Sequence, residues 1–582
     1  MKKLSIIKKM TNTITAIGCC LLVIGMTGCA DVLDTDSEMV EYEKDNTLNH
    51  PTDSVYSVLG IINRMQVIAD RVVLLGELRS DLVTTTSAAN ADLKSLADFD
   101  FLDADGNIRD NKYNRVSDYY AVINNCNYYL AHADTAMQRR GRHLFENEYA
   151  VVKAFRAWTY LELAKAYGKV PLVTEPLMTE RAAEEAMQQP RKSIEEICQF
   201  FINDLTPYAL VEQPDFGSIR TGEDSKEYFI PMRPLLGDLC LWAGRYEDAA
   251  RWYNSFLNDR KNPVTLRTGN RITWNNPLEF TTPQVQNYSA TSSAEWISYI
   301  PMEKQVFDGY ISDLENIFES TRENRYYNQV IPSKGMRRIS ADQTFVFEYS
   351  GDDGTSKDTV AAPRTGYTDD ILVGDLRFYS NFSERSTGGQ DDYSEYASIY
   401  QSIYKFWTER IITYRRTMVY LRYAEALNRA KCPQSAMLIL KYGMCQENID
   451  LYVDAQEQET AGDLIKFDPA VFTKTNTIGI HSYGSGDAQC NKEYDVPQPT
   501  EKLASRDDTL AYQIPLVEDM IINEMALEGA FEGYRYYDLM RVALRRNDPA
   551  YLADPISRRN GEVDESLRTL LMDKKNWYLP LR

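Results

Sequence analysis

The chain has 582 residues, with 64 Lys+Arg against 85 Asp+Glu, a formal charge of −21 and four histidines. That balance excludes a nucleic-acid binder, because phosphate capture needs clustered positive charge. A body of this length forms two to four domains or one large repeat-built unit, and its apolar runs stay short of the ~18 residues a membrane span requires.

The first 28 residues read as a signal peptide. Lys2, Lys3, Lys8 and Lys9 form a basic n-region, and the weakly apolar run Ile14 to Ile24 is too short for a comfortable span. It ends in Met26-Thr27-Gly28-Cys29, which has the form of a bacterial lipobox. Gly28 supplies the small residue before the cysteine, while Met26 and Thr27 depart from the commonest Leu-Ala/Ser version. On this reading Cys29 becomes the first mature residue and carries diacylglycerol plus an N-acyl chain. Several chains anchor stably where one is marginal. An ordinary signal peptide with a chance cysteine is the alternative. Cleavage before Cys29 removes four lysines and no acid, taking the balance from −21 to −25 over 554 residues. Asp31, Asp34, Asp36 and Glu38 then make residues 29–50 an acidic tether.

Residues 51–260 read as helices. Val58, Ile61, Ile62, Met65 and Ile68 share one helical face, and the following GELRSDLV brings Arg79 and Asp81 into a polar turn, where an ion pair is the plain structural role. Asp103, Asp105 and Asn107 sit in an acidic turn that lacks the glycine and terminal glutamate of a calcium loop. Tyr113 to Leu130 is helix-periodic through Tyr119, Val122, Ile123 and Cys126. In Glu146 to Val173, the apolar residues Val151, Phe155, Trp158 and Leu161 form a stripe; Gly168 suits the closing position and Pro171 prevents resumption. Ser193-Ile194-Glu195-Glu196 is a capping box. LWAGRYEDAARWY has the form of a tetratricopeptide turn, with Gly244 allowing close approach and Ala249 and Ala250 keeping the contact thin.

Residues 261–401 differ. Helical periodicity fades into turns, polar loops and short β-prone pieces (ITW, AEWISYI, TFVFEYS), and the aromatics Trp274, Tyr288, Trp296, Tyr299 and Tyr310 fall here. Long loops on a rigid body are where binding usually sits. Residues 402–582 return to helix. MVYLRYAEALNRA, a break at Pro433 and SAMLILKYG suggest another pair, and Glu532, Arg535, Asp538 and Arg541 recur at three-residue steps that place opposite charges on adjacent turns. The fold class is therefore mainly α: a tetratricopeptide-like superhelix of helix pairs with an irregular, loop-rich lobe containing a few short strands. The six cysteines after Cys29 include no C-x-x-C pair, so no disulfide framework is expected. No H-E-x-x-H or comparable spacing occurs, so neither a metal nor a cofactor is expected.

Several stretches resemble the SusD/RagB family of outer-membrane nutrient-binding lipoproteins of Bacteroidetes. They are AFRAWTYLELAKAYGKVPLV, VINNCNYY, Asp375-Leu376-Arg377-Phe378, the run from Glu532 to Arg541 that matches E-G-x-R-x-x-D-L-x-R, and the terminal Trp577-Tyr578-Leu579-Pro580-Leu581. The resemblance implies a SusC-like TonB-dependent transporter as partner, a glycan as ligand, and a lipid-anchored position on the outer membrane facing the exterior. It also implies that the acidic patch after Cys29 is an export signal and that Arg79 and Asp81 lie near the ligand face. The Asp375/Arg377 motif is taken as structural. Trp274, Trp296 and Tyr299 are the expected stacking platform, since indole and phenol rings pack on the C–H faces of sugars. A peptide ligand on the same architecture is the alternative, and a pure protein-interaction module is a further one. A surface glycoside hydrolase is disfavoured, because abundant carboxylates alone do not make a catalytic pair.

Overall fold

A computed structural model describes Leu48 and residues 51–581, apart from 140, 221–222, 267, 271–273, 277–278, 281–294, 303–309, 319–328, 347, 351–356, 360–373, 387–398 and 407–409. The expected signal peptide, Cys29, the acidic residues after it and Tyr288 lie outside the described residues. The protein is mainly helical. Its principal helices are α1 (Pro51–Glu77), α2 (Val116–His132), α3 (Glu146–Tyr167), α4 (Ile194–Leu205), α5 (Met232–Trp242), α6 (Tyr246–Leu257), α7 (Arg416–Arg429), α8 (Gln446–Tyr452), α9 (Arg506–Glu528) and α10 (Arg535–Arg546). The strands pair two by two. Those that matter here are β1 (Val83–Thr85), β2 (Trp296–Pro301), β3 (Val330–Pro332) and β4 (Arg410–Arg415), with β1 antiparallel to β3 and β2 antiparallel to β4.

Helix α3 is buried on nearly every side rather than along one stripe, with α1, α2 and α4 packed round it. Its polar residues tolerate this because they are paired: Lys153 and Arg156 both bind Asp204 of α4, at 2.5 and 3.1 Å. The helix stops at Gly168, whose φ is +74°. Ser193 and Glu196 close the capping box that starts α4.

Helices α5 and α6 form the expected hairpin, turned at Gly244 with φ +74°. The close approach is made elsewhere than expected, at Gly237, where an added Cβ would lie 2.4 Å from the Tyr253 ring. Helix α6 packs on α7, and α1 packs on α10, so helices from before and after the lobe share one hydrophobic core running from Val58 to Leu579. The second expected hairpin is less regular. Beyond α7 a short helix, Pro433–Met437, continues as a π-helical turn, Leu438–Tyr442.

The charged tail corrects a sequence expectation. Helix α10 begins only at Arg535, so Glu532 is not on it, and only Asp538 and Arg541 pair along the helix. The others reach across the fold. Glu532 binds Arg415 and Lys405, Arg535 binds Asp81, and Arg541 also binds Glu425. Around Glu532 these contacts grow into a buried network. Arg415, the last residue of β4, donates to Glu528 Oε1 at 2.7 Å and to Glu532 Oε2 at 2.8 Å. Arg377 clamps Asp375 through two bonds of 2.9 and 2.8 Å and reaches Glu528 at 3.1 Å and Glu524 at 2.5 Å. Glu524 in turn contacts the buried His481 at 2.8 Å and accepts from Tyr494 at 2.9 Å. Burial works against its charge, but Arg377 and His481 hold Glu524 down at about 2.

A second buried carboxylate, Glu77 at the end of α1, accepts the backbone N–H groups of Phe531 and Gly533 at 3.0 and 2.9 Å. The chains touch here: a Cβ on Gly76 would lie 1.7 Å from the Gly533 carbonyl oxygen. Burial, only partly offset by these two bonds, pushes Glu77 up to about 8.

Two predictions follow from these buried charges. Arg415→Met strands Glu528 and Glu532 without their main cation and should cost about 3–5 kcal/mol, read by urea denaturation. Glu77 holds its proton in the folded chain from about pH 4.5, where the unfolded carboxylate has lost it, up to about pH 8. Its contribution is therefore complete below that window and declines as pH rises through it. Glu77→Gln should shrink the fall in thermal midpoint between pH 6 and pH 8.

Candidate functional site

Arg79 and Asp81, expected at the ligand face, are buried and fully engaged. Arg79 is 0% exposed and donates to Leu75 O at 2.7 Å, Trp577 O at 3.0 Å and the Tyr537 hydroxyl at 3.0 Å. Its guanidinium also lies 4.2 Å from the Tyr536 ring centroid. Asp81 is likewise 0% exposed and takes two bonds from Arg535, at 2.7 and 3.0 Å. The structural ion pair of this turn is thus Asp81–Arg535. Both residues fasten the C-terminal segment to the end of α1, and a surface ligand does not reach them.

Trp296 and Tyr299 do come together, but underneath the surface. Both lie on β2, with ring centroids 5.8 Å apart, and Tyr299 packs edge-on against Tyr228 at 5.5 Å. The Arg410 guanidinium sits 5.0 and 5.3 Å from the two centroids and is paired with Glu223 at 2.5 Å. With 7% and 1% of their surface exposed, Trp296 and Tyr299 offer no free face for a sugar. The reason is packing: Tyr228 lies against Tyr299, the Arg410 guanidinium lies over both rings, and β2 packs on the Ser225–Tyr228 turn and on α1. Trp274 lies on a short strand, Trp274–Asn276, and its side chain is outside the described residues.

Among the described lobe residues, the exposed large hydrophobic side chains are Tyr310 and Ile311, 48% and 42% exposed. They precede an anchoring point. Asp70 of α1 accepts from Ser312 Oγ at 2.6 Å and from the Asp313 N–H at 2.8 Å. Ser312 also accepts the Leu314 N–H at 3.2 Å, which starts the short helix Leu314–Phe318 and leaves Tyr310 and Ile311 outside it. Asp313 pairs with Lys112 at 2.8 Å, and that ammonium lies 4.8 Å from the Tyr113 ring. Burial pushes Asp70 up to about 6, against the pull of Ser312 and Asp313. Burial works against the Lys112 charge too, but Asp313 holds it above the usual lysine range.

The result is a junction between lobe and body with an exposed phenol, a neighbouring apolar side chain, and a half-exposed Lys112–Asp313 pair. Such a surface can stack on an apolar face and exchange hydrogen bonds with hydroxyls. The sequence signal for it was available: an aromatic two residues before a Ser-Asp helix start is left outside the helix. Asp103 is a turn residue, accepting the N–H groups of Asp105 and Asn107 at 2.9 and 2.8 Å. Among the described residues no helix is long and apolar enough to cross a membrane.

No known family's sequence profile matches the chain, and no curated protein matches it by sequence. Solved structures do match by fold. A SusD superfamily protein from Bacteroides vulgatus is 13% identical with a TM-score of 0.53, covering 91% of this chain and 95% of its own. A SusD-like protein from Bacteroides fragilis is 17% identical, with a TM-score of 0.52 over 86% of this chain and 88% of its own. A SusD-like carbohydrate binding protein, also from Bacteroides fragilis, is 16% identical, again with a TM-score of 0.52 over 86% and 88%. The mainly helical body with its irregular lobe therefore shares its fold with these solved structures.

Proposed function

We propose that this chain is a SusD/RagB-type surface lipoprotein that captures a glycan and delivers it to a SusC-like TonB-dependent transporter in the same outer membrane. The observation that carries this reading is the fold match, over most of both chains, to a protein described as a SusD-like carbohydrate binding protein. The lipobox supports the anchor: Cys29 carries the lipid, residues 29–50 form the tether, and the body stands outside the cell. Capture needs no reactive group. It needs a rigid frame and an aromatic face with polar neighbours.

The frame is the shared helical core, and the face is the lobe–body junction. Tyr310 stacks on the sugar, Lys112 and Asp313 bond its hydroxyls, and Trp274 is a further stacking candidate from the sequence. Asp70 acts as a positioning residue, because it holds Ser312 and Asp313 and through them the placement of Tyr310.

Tyr310→Ala removes an exposed ring and should leave the thermal midpoint unchanged, while weakening retention on the bound polysaccharide about tenfold in affinity electrophoresis, the loss of ~1.4 kcal/mol of stacking. Unchanged retention in both Tyr310→Ala and Trp274→Ala would remove the junction from the site. Cys29→Ala should shift the protein from the membrane fraction to the soluble fraction after cell lysis, and abolish its labelling by an alkyne fatty acid. Continued labelling would refute the anchor.

A further inference from the structure

A second surface, remote in sequence from the lobe, has the chemistry of a sugar platform. Tyr442 ends the π-helical turn after α7 and Tyr452 ends α8. Their rings stack face to face, 3.7 Å between centroids and 9° between planes. The inner ring is 9% exposed and the outer ring 41%. The stack is braced from behind. Buried Lys441 lies 5.0 Å from the Tyr442 centroid and donates to Asp495 Oδ2 at 2.9 Å, and the Tyr442 hydroxyl lies 3.5 Å from the same oxygen. Asp495 Oδ1 accepts the Val496 N–H at 2.8 Å. The carboxylate is thereby fixed, yet its side chain is 50% exposed and keeps acceptor capacity for a further donor.

An exposed tyrosine alone carries no information. This one is different because it is held flat. Aromatic pairs prefer offset or edge-on contact, and a near-parallel stack at the surface presents one whole ring face to water. With Tyr442 behind it, Tyr452 has little rotamer freedom left to lose on binding. The surroundings select the ligand. Leu451 beside it is 62% exposed, while Glu447, Asp450 and Asp454 on the same segment are exposed acids. An anionic ligand is repelled, and an apolar protein partner would meet a rim of carboxylates. A neutral pyranose fits both features: its C–H face covers the ring and its hydroxyls donate to Asp495.

We propose that Tyr452, backed by Tyr442 and flanked by Asp495, forms a second carbohydrate site for a neutral pyranose on the helical body. It shares a ligand class with the reading above but rests on different residues. The test is saturation-transfer NMR on the purified full chain with maltohexaose, cellohexaose and mannohexaose, using Tyr452→Ala, Asp495→Asn and Tyr310→Ala variants of matched thermal midpoint. At least one hexasaccharide should show saturation of its pyranose C–H protons that Tyr452→Ala weakens about tenfold in affinity, that Asp495→Asn weakens several-fold and that Tyr310→Ala leaves in place. The proposal is overturned if none of the three sugars gives a Tyr452-dependent signal, or if Tyr452→Ala instead abolishes a self-association of the chain. Loss of the Tyr310-dependent signal alone would count against the lobe junction and not against this platform.

Discussion

Arg415 is the residue on which the rest of the structure turns. It ends β4, begins the approach to α7, and places its guanidinium between Glu528 at the end of α9 and Glu532 in the turn before α10. One cation thus ties the β2–β4 ribbon to the end of α9 and to the turn that leads into α10. Buried charges are costly to desolvate, and the arrangement holds because each carboxylate finds a geometrically matched donor. Arg377 and Lys405 complete the pattern from the lobe side. The ribbon and the Asp375/Arg377 segment are therefore attached to the helical body through a specific set of buried ion pairs.

Seen this way, the scattered sequence motifs are one another's partners. Arg79 donates to the backbone of Trp577, at the opposite end of the chain. Asp81 clamps Arg535 of the C-terminal signature. The Asp375/Arg377 motif meets Glu524 and Glu528 just upstream of that signature. Residues used for mutual bonding are lost to ligands, which is why none of these motif positions faces the solvent.

On the proposed glycan-binding reading, ligand contact falls to what the network leaves exposed. The fastening of Ser312 and Asp313 to Asp70 sets Tyr310 at the seam between lobe and body. A stacking site gains from such anchoring, since a ring held in place loses less freedom on binding. The Tyr442–Tyr452 pair uses the same economy on the helical side, with a π-helical turn in place of a loop.

The amino-acid sequence by itself determined the helical class, the α5–α6 hairpin with its turn at Gly244, the capping box at Ser193 and the resemblance to the SusD/RagB family, because these rest on local periodicity and on residue types at fixed spacing. It also marked the lobe as the place where periodicity fails. Tertiary structure alone decided which aromatics are available. Trp296 and Tyr310 stand in the same lobe and look equally suited to a sugar, yet one is 7% exposed and the other 48%. The difference comes from tertiary contacts: Tyr299 packs against Trp296, and Arg410, more than a hundred residues away on β4, lays its guanidinium over the Trp296 ring, contacts invisible to any local window. The same limit hid the partners of Glu532 and Arg535: three-residue spacing places charges on one face only if all of them are on the helix, and here the helix starts at Arg535.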